Sequence, residues 1–250
     1  MKTYLITGAF QDGIGLATSR ALLADPEVHV IGTYEEAPSD AGRELISQFP
    51  SRASAKQLSH GDAASIETFS QTLGSSVLAG FVNCHTYFNI EHPSKIDFEV
   101  WQKSLFVNLT MPTLFVNRLQ GALSDRAGIV FLTSTEAFRG SFGASVYAAS
   151  KAALHNVVMT LANTLGARAI RVNAVAAGWI GGVMDTDEVF NMSRRITPLG
   201  RLGSPDEVAN VIEFLLSAKS SFVNGTTLVV DGGYLGVDTI AKYEFEASQV

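Results

Sequence analysis

The sequence predicts a three-layer α/β/α fold, with one parallel sheet of seven strands and helices on both of its faces. Three observations carry that prediction. Short apolar runs alternate with stretches of helical period along most of the chain. The runs are near-continuously apolar, as strands buried on both faces are, rather than apolar at every second position. No linker, repeat or low-complexity stretch interrupts the alternation, and 250 residues suffice for one sizeable core.

The elements follow in order. Tyr4-Leu5-Ile6 predicts the first strand and Gly13–Ala24 the first helix. Val28–Gly32 is the second strand, and Asp40–Phe49 is a helix entered through Pro38-Ser39, a cap-type residue. A weaker strand near Ala53–Leu58 leads to a helix from about Ala63 to Leu73. Val77–Val82 is the fourth strand; two helices follow, over about Asp97–Leu109 and Pro112–Leu123. Gly128–Thr133 is the fifth strand, Val146–Leu165 a long helix, and Ile170–Val175 the sixth strand. Pro205–Leu216 is a helix behind Ser204, and Thr227–Val230 completes the sheet. A single domain over residues 1–234 is expected. The tail, 235–250, lies outside the alternation, mixes Ile240, Tyr243 and Phe245 with acids, and reads as an arm or a frayed end.

Composition removes several function classes. A net charge of −6 and a pI near 5.4 argue against nucleic-acid or anionic-membrane partners. The single cysteine, Cys84, cannot form an internal disulfide, and the five histidines show no zinc-type spacing, so no metal is expected. No apolar run reaches the ~18 residues of a membrane span. The opening Met1–Gly8 breaks too early for a signal peptide, and a cytoplasmic setting is the expectation.

Two segments carry chemistry. The first is Thr7-Gly8-Ala9-Phe10-Gln11-Asp12-Gly13-Ile14-Gly15, at a predicted strand-to-helix turn. Glycines there let the backbone approach a pyrophosphate resting on the free N–H groups of the helix N-terminus. The spacing is not Gly-x-Gly-x-x-Gly, and glycine occurs at any tight turn. Its weight comes from position, after the first strand of an alternating chain, which suggests a Rossmann-type, doubly wound sheet.

The second segment places Tyr147 four residues before Lys151, with Ser134 thirteen residues before the tyrosine. On a helix the phenol and the ammonium share one face. A nearby cation favours the phenolate and lowers a pKa that is ordinarily about 10. A serine hydroxyl in the same pocket is able to hold a carbonyl or alcohol oxygen while the tyrosine moves its proton. Alone, the pair also fits an ordinary helix with a buried ring and a solvated lysine.

Together the motifs resemble the classical short-chain dehydrogenase/reductase family, over Lys2 to about Tyr234. That family opens with Thr-Gly-x-x-x-Gly-x-Gly, places an aspartate after the third strand and Asn-Asn-Ala-Gly after the fourth, and uses Asn, Ser and Tyr-x-x-x-Lys in catalysis. Matching positions here are Gly8, Gly13 and Gly15, Asp62, Asn83, Asn108, Ser134, Tyr147 and Lys151; Arg171-Val172-Asn173-Ala174-Val175 and Val230-Asp231-Gly232-Gly233 follow. The resemblance implies Tyr147 as acid/base, with Lys151 lowering its pKa and bonding the nicotinamide ribose. It implies Ser134 as the group orienting the substrate oxygen and Asn108 as the anchor of a proton-relay water. Cofactor contacts implied are Gly8, Asp12, Gly13, Ile14, Gly15, Glu35, Asp62, Ala63, Asn83, Tyr147, Lys151, Gly178 and Ile180.

The chain departs from that pattern in three places. Gly8 and Gly13 are separated by four residues instead of three. Asn83-Cys84-His85-Thr86 stands where Asn-Asn-Ala-Gly is expected, and Ala177 replaces a usual proline before Gly178. The segment from Gly178 to about Ile196, loosened by Gly181-Gly182, is expected to be a lid. Substrate-side candidates are His85, Glu136, Phe142, Trp179 and Met184, with Tyr87, Phe88, Phe138 and Val183; ordinary core or subunit packing is the plainer account of about half of them.

The resemblance implies an oxidoreductase interconverting a secondary alcohol and a ketone, and the apolar, aromatic candidates suit a hydrophobic or ring-bearing substrate. NAD is the expected cofactor. Asp12 stands where NADP-using relatives often carry a base, and Gly32-Thr33-Tyr34-Glu35-Glu36 contains no Arg or Lys to meet a ribose phosphate. Rival readings are a 3-oxoacyl-carrier-protein-type reductase using NADPH, prompted by Pro198-Leu199-Gly200-Arg201-Leu202-Gly203-Ser204-Pro205, a non-catalytic dinucleotide-binding regulator, and a lyase on the same fold. The family also implies a homotetramer or homodimer. The stripe Leu154, Val158, Leu161, Leu165 on the long helix suits such an interface, although part of it must face its own sheet.

Overall fold

The computed structural model describes residues 1–59, 62–92, 94–182 and 185–248. Seven strands form one sheet: β1 (Lys2–Thr7), β2 (Val28–Tyr34), β3 (Ala53–Gln57), β4 (Leu78–Asn83), β5 (Leu123–Ser134), β6 (Arg171–Ala177) and β7 (Thr227–Val230). Every pairing is parallel, in the order β3-β2-β1-β4-β5-β6-β7. The order turns back between β1 and β4, and a crevice opens at that switch point, beyond the strands' C-terminal ends. Register gathers the chemistry there. Thr7 pairs with Asn83, Asn83 with Phe131, Ser134 with Ala177, and Ala177 with Val230. Gly8, Cys84, Ser134 and Gly178 thus leave the sheet along one edge.

Nine helices connect and cover the strands among the described residues: α1 (Ile14–Leu23), α2 (Asp40–Gln48), α3 (Ala63–Thr72), α4 (Phe98–Leu105), α5 (Met111–Leu119), α6 (Ser145–Leu165), α7 (Asp187–Ile196), α8 (Pro205–Leu216) and α9 (Thr239–Ala247). One face of the sheet is sealed by α3, α5 and α6 around Phe69, Phe81, Phe115 and Phe131. The Phe81 and Phe115 rings stack with centroids 5.6 Å apart, and Phe69 meets Phe115 edge-on at 5.7 Å. The other face is sealed by α1, α2 and α8 through Leu16, Leu23, Leu45, Val208 and Ile212. Leu154, Val158 and Leu165 of α6 lie in the first core, with Leu161 packed against it. The stripe offered for a subunit interface is therefore consumed by the chain's own sheet.

The extra residue of the glycine loop is accommodated by burial. Ala9 and Phe10 are both 0% exposed. The Phe10 ring lies so close over β2 that a Cβ at Gly32 would sit 2.4 Å from it, and a Cβ at Gly42 of α2 would sit 2.3 Å from the Phe10 carbonyl. Glycine at both positions makes the room. The Ser39 N–H donates to the Phe10 carbonyl at 2.9 Å, tying the loop to the start of α2.

Three boundaries differ from the sequence expectation. Strand β5 begins at Leu123, because a register irregularity between Leu78 and Gly80 admits Ser124-Asp125-Arg126 into the strand; α5 stops at Leu119. The two expected helices after β4 run together through a π-helical turn, Phe106–Thr110, which a 3.6-residue period does not reveal. The tail forms α9, capped by Asp238, and the Lys242 ammonium donates to the Arg195 carbonyl at 2.7 Å, at the end of α7.

Candidate active site

The glycine loop presents an open helix end. Gly8 (φ 69°) and Gly13 (φ 115°) adopt backbone angles that favour glycine, and no side chain caps α1. A Cβ on Gly13 would meet nothing within 4 Å, whereas one on Gly15 would strike the Gly8 carbonyl at 2.2 Å. The turn is tight beneath and open above, with the first-turn amides of α1 at its edge. That cradle fits the pyrophosphate of a dinucleotide. Thr33 is fully buried, and its hydroxyl accepts from the Gly8 N–H at 3.2 Å, tying the glycine loop to β2.

Other expected cofactor residues lie around this edge. Asp12 and Glu35 are exposed, Ile14 is half-buried, and Ala63 opens α3. Asp62 caps that helix, accepting from the Ser65 N–H at 2.7 Å. Asn83 is fully buried and braces the switch point. It accepts from the Thr7 hydroxyl at 2.9 Å and donates to the His85 carbonyl at 3.2 Å. Gly178 leaves β6 so close to β7 that a Cβ would lie 2.6 Å from the Asp231 side chain, and Ile180 is bridged to Gly203.

The catalytic candidates converge from three segments. Tyr147 and Lys151 share one face of α6, with the Lys151 nitrogen 5.7 Å from the phenol ring centroid. Lys151 is 1% exposed and donates to the Leu132 carbonyl of β5 at 3.1 Å. Ser134, at the end of β5, and Thr86, beyond β4, are the polar side chains that act on the Tyr147 phenol, both favouring its ionised form. Asn108 sits in the π-helical turn. Its Oδ1 accepts from the Tyr87 N–H at 2.9 Å and the Thr86 hydroxyl at 3.1 Å, while Nδ2 donates to the Tyr87 carbonyl at 2.8 Å and Ser104 Oγ at 3.1 Å. The π turn thus anchors the Thr86-Tyr87 segment against the site.

Burial dominates the electrostatics. It pulls the Lys151 amine down to about 7, only partly opposed by Cys84, and pushes the Cys84 thiol up to about 12 against a Thr18 hydrogen bond and Lys151. Burial also pushes the Tyr147 phenol above its ordinary value; the Ser134 and Thr86 hydrogen bonds oppose this, and Glu136 adds to it. The direction is opposite to what the Tyr–Lys spacing suggests on its own. The reason is that desolvation of the buried phenol itself outweighs the groups that favour its ionised form.

Ala144, the residue before α6, offers no capping side chain. Glu91 caps α6 from a distance, accepting from the Ser145 N–H at 2.9 Å and the Val146 N–H at 2.7 Å. On the substrate side, Phe88 meets Tyr147 edge-on at 5.1 Å. Trp179 meets Tyr234 edge-on at 6.5 Å, and the Arg139 guanidinium stacks on the other partner of that pair, 4.7 Å from the Tyr234 centroid. His85 and Glu136 are half-buried. Phe142 is fully exposed, so as a wall residue it needs cover that its own chain's described residues do not give. Met184 and Val183 lie outside the described residues. Sequence reasoning missed Thr86, Glu91 and Tyr234, whose partners lie far away along the chain.

Comparison with known proteins shows what the chain is similar to. A family model described as Enoyl-(Acyl carrier protein) reductase matches residues 8–235. The chain is 32% identical over 246 residues to 3-oxoacyl-(acyl-carrier-protein) reductase FabG of Aquifex aeolicus, covering 93% of this chain and 96% of that one. It is 32% identical over 250 residues to cis-4-hydroxycyclohexanecarboxylate dehydrogenase of Sinomonas cyclohexanicum, covering 94% and 97%. A solved short-chain dehydrogenase of Burkholderia cenocepacia, in complex with NADP, superposes with a TM-score of 0.86 at 28% identity, covering 93% and 97%.

Proposed function

The chain belongs to the short-chain dehydrogenase/reductase family, a family of oxidoreductases using nicotinamide dinucleotides, and on that premise we propose that it is an NAD-dependent enzyme interconverting a secondary alcohol and a ketone on a hydrophobic, ring-bearing substrate. One observation carries the reading: Lys151 is buried on the same face of α6 as Tyr147, its nitrogen 5.7 Å from the phenol ring centroid, and Ser134 at the end of β5 acts on that phenol. In the oxidising direction Tyr147, as phenolate, takes the alcohol O–H proton while the carbinol C–H leaves as hydride; reduction returns both. Nicotinamide, when bound, supplies or accepts that hydride. Ser134 holds the substrate oxygen, and Lys151, in its protonated form, lowers the cost of charging the phenol. A non-catalytic regulator has no use for this set.

For the cofactor, Asp12 and Glu35 support NAD. Arg43, the basic side chain nearest in sequence after β2, is tied to Asp40 and the Pro38 carbonyl. For the substrate, Phe88, Trp179 and Tyr234 offer aromatic walls, and the Sinomonas relative is named for a cyclic secondary alcohol. The relatives named as oxoacyl reductases and the NADP-bound neighbour favour a second reading, NADPH-dependent reduction of an oxoacyl thioester. Catalytic efficiency with NAD and NADP, against cyclic alcohols and an oxoacyl thioester, separates the two; a clear NADPH preference on the thioester overturns the first. Tyr147→Phe should abolish turnover and leave dinucleotide binding nearly intact; activity within a few-fold of the parent sinks the role given to Tyr147.

We further propose a homotetramer or homodimer, now resting on β7 as an open sheet edge and on exposed Phe222, Val229 and Met159. A monomer by light scattering at micromolar concentration would refute it. A buried free thiol at Cys84 suits a reducing, cytoplasmic setting, and among the described residues no helix is long and apolar enough to cross a membrane.

A further inference from the structure

Tyr147 stands in the first turn of a long helix, where a helix holds itself least. Helix α6 begins at Ser145, so Tyr147 is its third residue. The Ala148 N–H, which donates to the Ala144 carbonyl at 3.0 Å, starts the helix's own ladder. The amides of Ser145, Val146 and Tyr147 precede that ladder, and Ala144 has no side chain to receive them. Lys151 lies one turn deeper, and its nitrogen is separately held by the Leu132 carbonyl at 3.1 Å. Of the two, the tyrosine is the one whose place depends on how the helix end is closed.

Glu91 closes it. One carboxylate oxygen accepts from the Ser145 N–H at 2.9 Å and the Ser145 hydroxyl at 2.5 Å, and the other accepts from the Val146 N–H at 2.7 Å. The Glu91 N–H donates in turn to the Gly143 carbonyl at 2.7 Å. Hydrogen bonds to a carboxylate are roughly twice as strong as those between neutral groups. The segment that carries Glu91 also touches the tyrosine directly. Phe88 meets the Tyr147 ring edge-on, with centroids 5.1 Å apart. Beside it, Tyr87 is held through both backbone groups by Asn108, at 2.9 Å and 2.8 Å. Residues 87–91 are therefore pinned at both ends, by the π-helical turn and by the first turn of α6, with Phe88 against the phenol ring between them.

We propose that Glu91 is a positioning residue for Tyr147: its carboxylate closes the first turn of α6 and so fixes the phenol relative to Lys151 and Ser134. The inference deepens the oxidoreductase reading and rests on it for its catalytic meaning. Glu91 acts through the helix end and not on the reacting atoms.

The test compares Glu91→Ala, which leaves the turn open, with Glu91→Gln, which keeps one acceptor oxygen. kcat is measured on the cyclic alcohol turned over fastest and is counted per dinucleotide-binding site, so that unfolded protein does not enter it. Amide hydrogen exchange over residues 143–150 is measured beside it. Glu91→Ala should lower kcat per site by about tenfold to a hundredfold, the scale of a misplacement of about 1 Å. Exchange over 143–150 should quicken, and the dinucleotide KM should stay within about twofold of the parent. Glu91→Gln should fall between parent and Glu91→Ala. In a Tyr147→Phe background, Glu91→Ala should lower the residual rate no further, because its effect passes through the phenol. Parental kcat per site or parental exchange in Glu91→Ala overturns the proposal. So does a Glu91→Gln protein no better than Glu91→Ala, or a further loss in the Tyr147→Phe background. If Glu91→Ala fails to fold, Glu91→Asp, which withdraws the carboxylate by one methylene, takes its place with the same expectations. Exchange does not depend on turnover. A parent inactive on alcohols, or an active Tyr147→Phe protein, would refute the oxidoreductase reading, while exchange would still decide whether Glu91 holds the turn that carries Tyr147.

Discussion

Replacing Phe10 with alanine should unfold the glycine loop from the core. The ring is fully buried between β2 and α2, where Gly32 and Gly42 make room for it. A buried aromatic side chain removes roughly 150–250 Å² from water, which at about 25 cal/mol per Å² is roughly 4–6 kcal/mol as an upper bound. Phe→Ala replacements in cores cost about 3–5 kcal/mol, and that is the expected loss here. Against a usual total of about 5–15 kcal/mol, the variant should be much easier to denature. Urea denaturation at fixed protein concentration checks this, through a lower midpoint at unchanged slope. The Phe10 carbonyl also accepts from the Ser39 N–H and the loop frames the pyrophosphate cradle, so dinucleotide affinity should fall with stability. Gln11→Ala is the control. Its side chain donates to the Ala37 carbonyl at 2.6 Å in an exposed position, and its cost should stay within about 1 kcal/mol. A loss below about 1 kcal/mol for Phe10→Ala would mean that the extra residue is not a core residue.

Three other outcomes are expected. Glu91→Ala should cost about 1–2 kcal/mol by uncapping α6. Burial favours protonating the Glu91 carboxyl, but hydrogen bonds from Ser145 and Val146 win and hold its pKa below the ordinary value, so the cap is intact above the unfolded carboxyl pKa and is lost as pH falls through the folded one; acid melts of parent and variant should converge there. Lys151 has a folded pKa lowered to about 7, so between that value and its unfolded value of 10.5 the unfolded chain binds more protons. Stability should rise with pH across that window, and Lys151→Met should flatten the rise. In the expected lid, the Gly182 N–H donates to Asp185 at 2.9 Å and Gly181 is paired with Gly203, so hydrogen exchange should gain protection from NAD mainly beyond residue 182, up to about Ile196; equal protection with and without NAD would make the segment static.

The sheet was legible because its strands are apolar on both faces and its helices carry caps such as Ser39 and Ser204; the weakest expectation, β3, is an edge strand alternating between buried and open positions. The Tyr147, Lys151 and Ser134 set was legible because it is local to one helix and the strand before it. Thr86 was not. Its importance comes from Asn108, 22 residues on, held by a π-helical turn that leaves no periodic trace. Glu91 was hidden for the same reason, acting on a helix 54 residues away. Phe10 stood in plain view as an apolar side chain in a glycine loop, but a loop reading offers no core for it to enter. Only the two small residues opposite it, Gly32 and Gly42, one on a strand and one on a helix, reveal that one exists.

The two ends of the Tyr147–Lys151 pair are driven by burial toward the same condition, uncharged phenol and uncharged amine. A neutral pair and a phenolate–ammonium pair hold the same number of protons, so pH alone does not choose between them. Local donors choose. The Lys151 nitrogen has the Leu132 carbonyl as an acceptor, which favours its charged form, and Ser134 and Thr86 favour the ionised phenol. Each hydroxyl that turns to donate to the phenolate tips the pair toward the charged form without any exchange with solvent. Removal of either hydroxyl should therefore move the phenol upward, and removal of both should move it by more than the two shifts added. The charged pair loses its last side-chain donor only in the double variant. A Ser134→Ala/Thr86→Val cycle read by phenol titration measures that excess; strictly additive shifts would show that the two hydroxyls act independently and that no shared network sets the protonation of Tyr147.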